Sequence, residues 1–115
     1  MIVIDSSCWL EYFADTKYSK KFETFIGDTS NIIIPSIIIY EVFKKILIEK
    51  DENTALLIIA HMRQAYIVDI DFNISILAAK YSKEYNLPMA DSIIYAVSRK
   101  YNAELITQDS DFKNL

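Results

Sequence analysis

Four carboxylates stand at positions where one α/β chain could bring them together: Asp5, Glu41, Asp91 and Asp109. Ionised carboxylates that converge repel one another. At about 4 Å and an effective dielectric near 20, each pair costs on the order of 4 kcal/mol. A divalent cation removes that repulsion. Oxygen donors without Cys or His favour a hard ion, Mg²⁺ or Mn²⁺, and the chain's single Cys8 and single His61 make zinc a poor fit. Each acid also has an ordinary use. Asp5 could cap a helix beginning near Cys8, Asp91 could favour a helix N-terminus, and Asp109 could cap a final helix. Glu41 could pair with Lys45 one turn on. Asp111 is ambiguous as a fifth member.

The elements that must position these acids follow from the apolar pattern. Met1 to Ile4 is an apolar run stopped by Asp5-Ser-Ser7, which predicts a buried strand entering a helix over Cys8 to Phe13. Tyr18 to Ile26 has helical spacing, with Gly27 as its cap. Asn31 to Ile34 predicts a second buried strand, ended by Pro35-Ser36. Helices follow over Ser36 to Lys50 and Asp51 to Gln64, then a strand over Tyr66 to Ile70. Phe72 to Tyr85 and Met89 to Tyr101 read as helices, broken by Leu87-Pro88. Glu104 to Thr107 is a fourth strand, and a last short helix starts at Asp109.

Short strands, apolar on both faces and joined by helices, predict a three-layer α/β/α sandwich around a short, mainly parallel sheet. In such sheets ligands bind beyond the carboxyl ends of the strands. Asp5 directly follows strand one; Thr107, Asp109 and Asp111 follow strand four. If those strands are neighbours, both groups share one rim.

With 115 residues and 52% apolar side chains, we expect a single domain over 1–115. The single cysteine argues against an internal disulfide framework, and no basic region leads into an apolar segment at the start, so we expect a cytoplasmic protein with no membrane segment. The net charge of −4 speaks against a nucleic-acid binder unless several acids hold a cation. Trp9, Phe13, Phe22 and Phe25 are expected to pack between early helices, Cys8 to be buried, and His61 to lie on the surface. Tyr95 and Ser98 share a helix face with Asp91 and are candidates to line the cleft.

Four segments together resemble the PIN-domain ribonucleases, most closely the VapC-type toxins. They are Ile2-Val-Ile-Asp-Ser-Ser-Cys-Trp9, Ile34-Pro-Ser-Ile-Ile-Ile-Tyr-Glu-Val42, Leu87-Pro-Met-Ala-Asp-Ser-Ile-Ile-Tyr-Ala96 and Leu105-Ile-Thr-Gln-Asp-Ser-Asp-Phe112. They come in the family's order and span nearly the whole chain. The resemblance assigns Asp5, Glu41, Asp91 and Asp109 to the acidic, metal-holding cluster, with Asp111 as a possible addition. It places Ser7 and Thr107 as hydroxyls beside the acids. It implies an Mg²⁺- or Mn²⁺-dependent endoribonuclease, a VapB-type antitoxin and a homodimer. Members of that family commonly continue past the last segment into another short strand, so at Leu115 we expect a C-terminal edge that is either trimmed or unusual. The alternatives are an RNA-processing nuclease outside a toxin pair, or a catalytically weak domain that binds protein. A phosphoaspartate receiver would need a Lys where Leu105-Ile-Thr-Gln108 stands, and a haloacid-dehalogenase-type phosphatase would need an Asp where Ser7 stands.

Overall fold

A computed structural model describes residues 1–14, 23, 26–113 and 115. Its described elements are β1 (Ile2–Ile4), α1 (Ser6–Phe13), β2 (Ile32–Pro35), α2 (Ser36–Glu49), α3 (Glu52–Met62), β3 (Tyr66–Val68), α4 (Phe72–Tyr85), α5 (Met89–Lys100) and β4 (Glu104–Ile106). Short 3-10 turns cover Thr29–Asn31 and Ser110–Phe112. The helix expected over Tyr18 to Ile26 lies mostly outside the described residues, as do Phe22 and Phe25.

The four strands form one sheet in the order β3-β2-β1-β4, and every pairing is parallel. Ile2, Val3 and Ile4 stand opposite Glu104, Leu105 and Ile106, so the first and fourth strands are neighbours. Every residue of β1 and β2 is buried, which requires cover on both faces of the sheet. The outer strands are less buried, and Tyr66 of β3 is exposed. The result is the expected α/β/α arrangement. Ile4, Ile33, Ile34, Val42, Ile74 and Ile94 belong to one continuous core. Burial of each such side chain contributes roughly 1.5–3 kcal/mol, and the core holds the rim that carries the polar residues.

Two asparagines set the register around the last two elements. Asn86 ends α4 with φ 55°, and Asn102 follows α5 with φ 51°. Asn tolerates the left-handed region better than most residues, so it serves where glycine is scarce. After α4, the Leu87 amide returns to the Ser82 carbonyl at 3.2 Å. After α5, the Ala103 amide returns to the Ser98 carbonyl at 2.8 Å. The first turn reverses the chain so that α5 begins at Met89 and puts Asp91 in its opening turn. The second delivers the chain into β4.

Candidate metal centre

Strand pairing brings the site together. The Asp5 amide donates to the Ile106 carbonyl at 2.9 Å, extending the β1–β4 ladder by one step beyond β1. Asp5 is then the N-cap of α1: Oδ1 accepts from the Ser6 amide at 2.7 Å and lies 3.5 Å from the Ser6 hydroxyl. Its other oxygen, Oδ2, accepts from the Thr107 hydroxyl at 2.8 Å. That same hydroxyl accepts from the Asp109 amide at 2.9 Å. Thr107 thus fastens the acid after β1 to the turn after β4. Asp109 caps the closing 3-10 turn, its Oδ1 accepting from the Asp111 amide at 2.9 Å. The ordinary capping roles of Asp5 and Asp109 are therefore real, and they do not exclude a role in a cluster.

Asp91, Asp109 and Asp111 each offer a carboxylate oxygen, and the three oxygens lie within 4.8 Å of one another. Asp5 and Glu41 join this group through its field. Asp5 is only 3% exposed; burial raises its pKa above the ordinary 3.8 and the Asp109 charge adds to the rise, against the Thr107 and Ser6 hydrogen bonds. Glu41 is also raised, first by burial, then by the charges of Asp5 and Asp109, with the Ser6 hydroxyl opposing. Asp91 is pushed up to about 7, by burial first, then by its contact with Asp111 and the charges of Asp109 and Asp5.

The ordinary partner for Glu41 is not used. Lys45 pairs instead with Glu49, at 3.0 Å. Glu41 Oε1 is buried and accepts no hydrogen bond. Such an orphaned acceptor costs about 1–3 kcal/mol and calls for a cation or a proton. Among the described residues no Lys or Arg forms an ion pair with any of the five acids. The donor set is all oxygen and acidic, with one orphaned buried oxygen beside it, which suits Mg²⁺ or Mn²⁺.

Several sequence expectations are redistributed. The tightest group has Asp111 in it, where the sequence left that residue ambiguous. Ser6, not Ser7, touches Asp5. Ser7 turns to the other side of α1, 4.0 Å from Cys8 Sγ, where it lines a cavity with Leu10 and Phe13. Ser98 is 1% exposed and donates to the Tyr95 carbonyl at 2.7 Å, so it is a packed helix residue. His61 is partly buried, its Nε2 is shielded and unpartnered, and its ring meets Phe13 edge-on at 5.7 Å. It lies against α1, not on an open surface. Trp9 and Cys8 are fully buried.

The chain is an all-parallel α/β sandwich with a carboxylate cluster beyond the ends of β1 and β4, the place where ligands of such sheets bind. The sequence matches the PIN domain family over residues 2–115, and the chain belongs to that family. No curated protein matches it by sequence. Solved structures share the fold, three of them as follows. One is a toxin–antitoxin complex from Klebsiella pneumoniae, 21% identical, TM-score 0.84, with 100% of this chain and 92% of that one covered. Another is Mycobacterium tuberculosis VapC20, described as a sarcin-ricin loop cleaving toxin, 14% identical, TM-score 0.80, with 99% and 94% covered. The third is VapBC2 from Rickettsia felis bound to a fragment of its promoter DNA, 17% identical, TM-score 0.75, with 99% and 92% covered. Among the described residues no helix is long and apolar enough to cross a membrane.

Proposed function

We propose that this protein is a divalent-metal-dependent endoribonuclease and the toxin of a toxin–antitoxin pair. The observation that carries the nuclease reading is the convergence of the Asp91, Asp109 and Asp111 carboxylates within the field of Asp5 and of Glu41, whose Oε1 is buried and orphaned, with no Lys or Arg among the described residues paired to any of the five. The toxin reading is supported by the family and by the toxins among the structures of the same fold. An antitoxin of VapB type, a homodimer and a cytoplasmic setting belong to the same reading; a single cysteine, the buried Cys8, is consistent with a reducing compartment.

Asp91, Asp109 and Asp111, with Asp5, would hold the cation. When bound, Mg²⁺ or Mn²⁺ supplies Lewis-acid polarisation of a phosphate oxygen and makes water a better nucleophile. Glu41 Oε1, which has no partner in the fold, would accept a hydrogen bond from the attacking water and aim it at phosphorus. Thr107 and Ser6 hold Asp5 in a single rotamer by bonding both its oxygens. Water oxygen bonds to phosphorus as the water gives up a proton to Glu41 or solvent, and the P–O3′ bond breaks as O3′ takes a proton from solvent, leaving a 5′-phosphate and a 3′-hydroxyl. The test is cleavage of RNA with Mg²⁺ or Mn²⁺ by the wild type and by Asp5→Asn. Cleavage by the wild type and its loss in the variant are expected; equal cleavage by both would defeat the proposal.

A further inference from the structure

The α4–α5 hairpin carries three tyrosines that touch one another, and one of them, Tyr95, lies a helical turn past Asp91. Tyr81 and Tyr85 lie one turn apart on α4, with rings stacked at 5.9 Å and 20°. Tyr95 of α5 meets both edge-on, at 4.8 Å from Tyr81 and 5.9 Å from Tyr85. Tyr81 and Tyr95 are half-buried, whereas Tyr85 is 40% exposed. Each ring is braced by the other two, so an added ring would find a surface already ordered.

The position of this group along α5 gives it meaning. Tyr95 is four residues after Asp91, and residues at that spacing have Cβ atoms about 5–6 Å apart on one helix face. Arg99 is four residues further on, exposed, and forms no ion pair among the described residues. One stripe of α5 therefore runs from a cluster acid to an aromatic ring to an exposed cation. A nucleotide chain repeats phosphate and base, and this stripe offers a partner for each in turn. Packing of the hairpin end alone would not call for a 40% exposed Tyr85, or for an exposed Arg99 without an ion pair among the described residues.

We propose that the Tyr85 ring, braced edge-on by Tyr95, is a stacking platform for the base of a nucleotide flanking the scissile phosphate, and that Arg99 meets a backbone phosphate beyond it. The strand must be unpaired there, because a base inside a duplex has both faces occupied. This inference rests on the ribonuclease reading above and adds the residues that hold the strand.

The test measures anisotropy of a short labelled single-stranded oligoribonucleotide with Asp5→Asn protein and Mg²⁺, where the strand should stay intact. Adding Tyr85→Leu should weaken binding roughly tenfold, and adding Tyr85→Phe should leave it unchanged. Removing single bases from the oligonucleotide should reproduce the loss at one flanking position with Tyr85 in place, a result that does not depend on how a variant folds. On the wild-type background, Tyr85→Leu should raise KM with little change in kcat, and Arg99→Gln should flatten the salt dependence of binding. Equal binding with and without the Tyr85 ring, together with tolerance of every abasic position, would overturn the platform. If Asp5→Asn still cleaves the strand, the reading of the acid cluster fails instead.

Discussion

Asp51 and Asp71 cap α3 and α4 much as Asp5 caps α1, yet protons bind them in opposite ways. Asp51 accepts from the Thr54 amide at 2.7 Å and Asp71 from the Ile74 amide at 2.8 Å. Both are held below the ordinary carboxylate range, first by those backbone bonds, with Lys50 and Lys100 nearby adding to the effect. Asp71 also pairs with Lys100 at 3.7 Å. Asp5 makes comparable bonds but is buried beside Asp109, and its pKa rises. The same residue type in the same local role is comfortable at the outer caps and uncomfortable at the rim. Local capping explains why each aspartate can exist where it does. It does not explain why five acids share one rim with no Lys or Arg among the described residues paired to them. A rim that destabilises the ionised form of its own carboxylates has a use for a cation.

The contrast can be broken experimentally. The largest effect is expected in catalysis: Asp91→Asn or Asp109→Asn should lower RNA cleavage about a thousandfold or more, since the cation's contribution is several kcal/mol. Asp71→Asn should leave kcat/KM unchanged, and an equal loss there would erase the distinction. Next is Thr107→Val, which removes the hydroxyl linking Asp5 to Asp109. Metal affinity, read by calorimetry, should fall about ten- to a hundredfold.

Stability against pH gives a smaller effect with a diagnostic sign. Asp91 binds its proton in the folded state up to about pH 7, against an ordinary value of 3.8. As pH rises from 3.8 through 7, the unfolded chain releases a proton that the folded one keeps, so the metal-free fold loses stability across that window. Asp91→Asn should therefore raise metal-free stability at pH 8 by roughly 1–2 kcal/mol, after discounting a half-exposed group for solvent screening. Chemical denaturation at pH 8 measures it, and a destabilised variant would contradict the reading. Asp71 works the other way: its contribution is complete above the ordinary carboxylate value and is lost as pH falls through its lowered one. The smallest shift is expected for Asp71→Asn, a modest drop in Tm at neutral pH that vanishes in acid.

Much of the scaffold was legible in the residues. Runs such as Ile2 to Ile4, apolar on both faces, can only be buried strands, and their alternation with helices leaves a parallel sheet as the economical solution. Phe72–Tyr85 is a helix with the expected bounds. The strands ran slightly differently: β2 takes in Pro35, and β3 stops at Val68. Asp5, Thr107 and Asp109 were legible because they directly follow strands, and strand ends define the rim. What resisted were side chains whose direction depends on phase. Successive residues on a helix point about 100° apart, so Ser6 and Ser7 part ways at the first turn of α1, and only the coordinates tell which one meets Asp5. Glu41 resisted because Lys45 could be satisfied at either i−4 or i+4, and it chose Glu49. Asp111 was obscured because a 3-10 turn, not an α-helix, follows Asp109 and brings the two carboxylates together. His61 was misjudged because its polar neighbours along the chain say nothing of Phe13, which reaches it from α1.

The central claim is that the acids form a cation site, and calorimetric titration with Mn²⁺ tests it most directly. The wild type should bind Mn²⁺ saturably at pH 8, binding should weaken as pH falls below about 7 where Asp91 takes up its proton, and the Asp91→Asn, Asp109→Asn double variant should not bind. No binding by the wild type at pH 8, or undiminished binding by the double variant, would contradict the account.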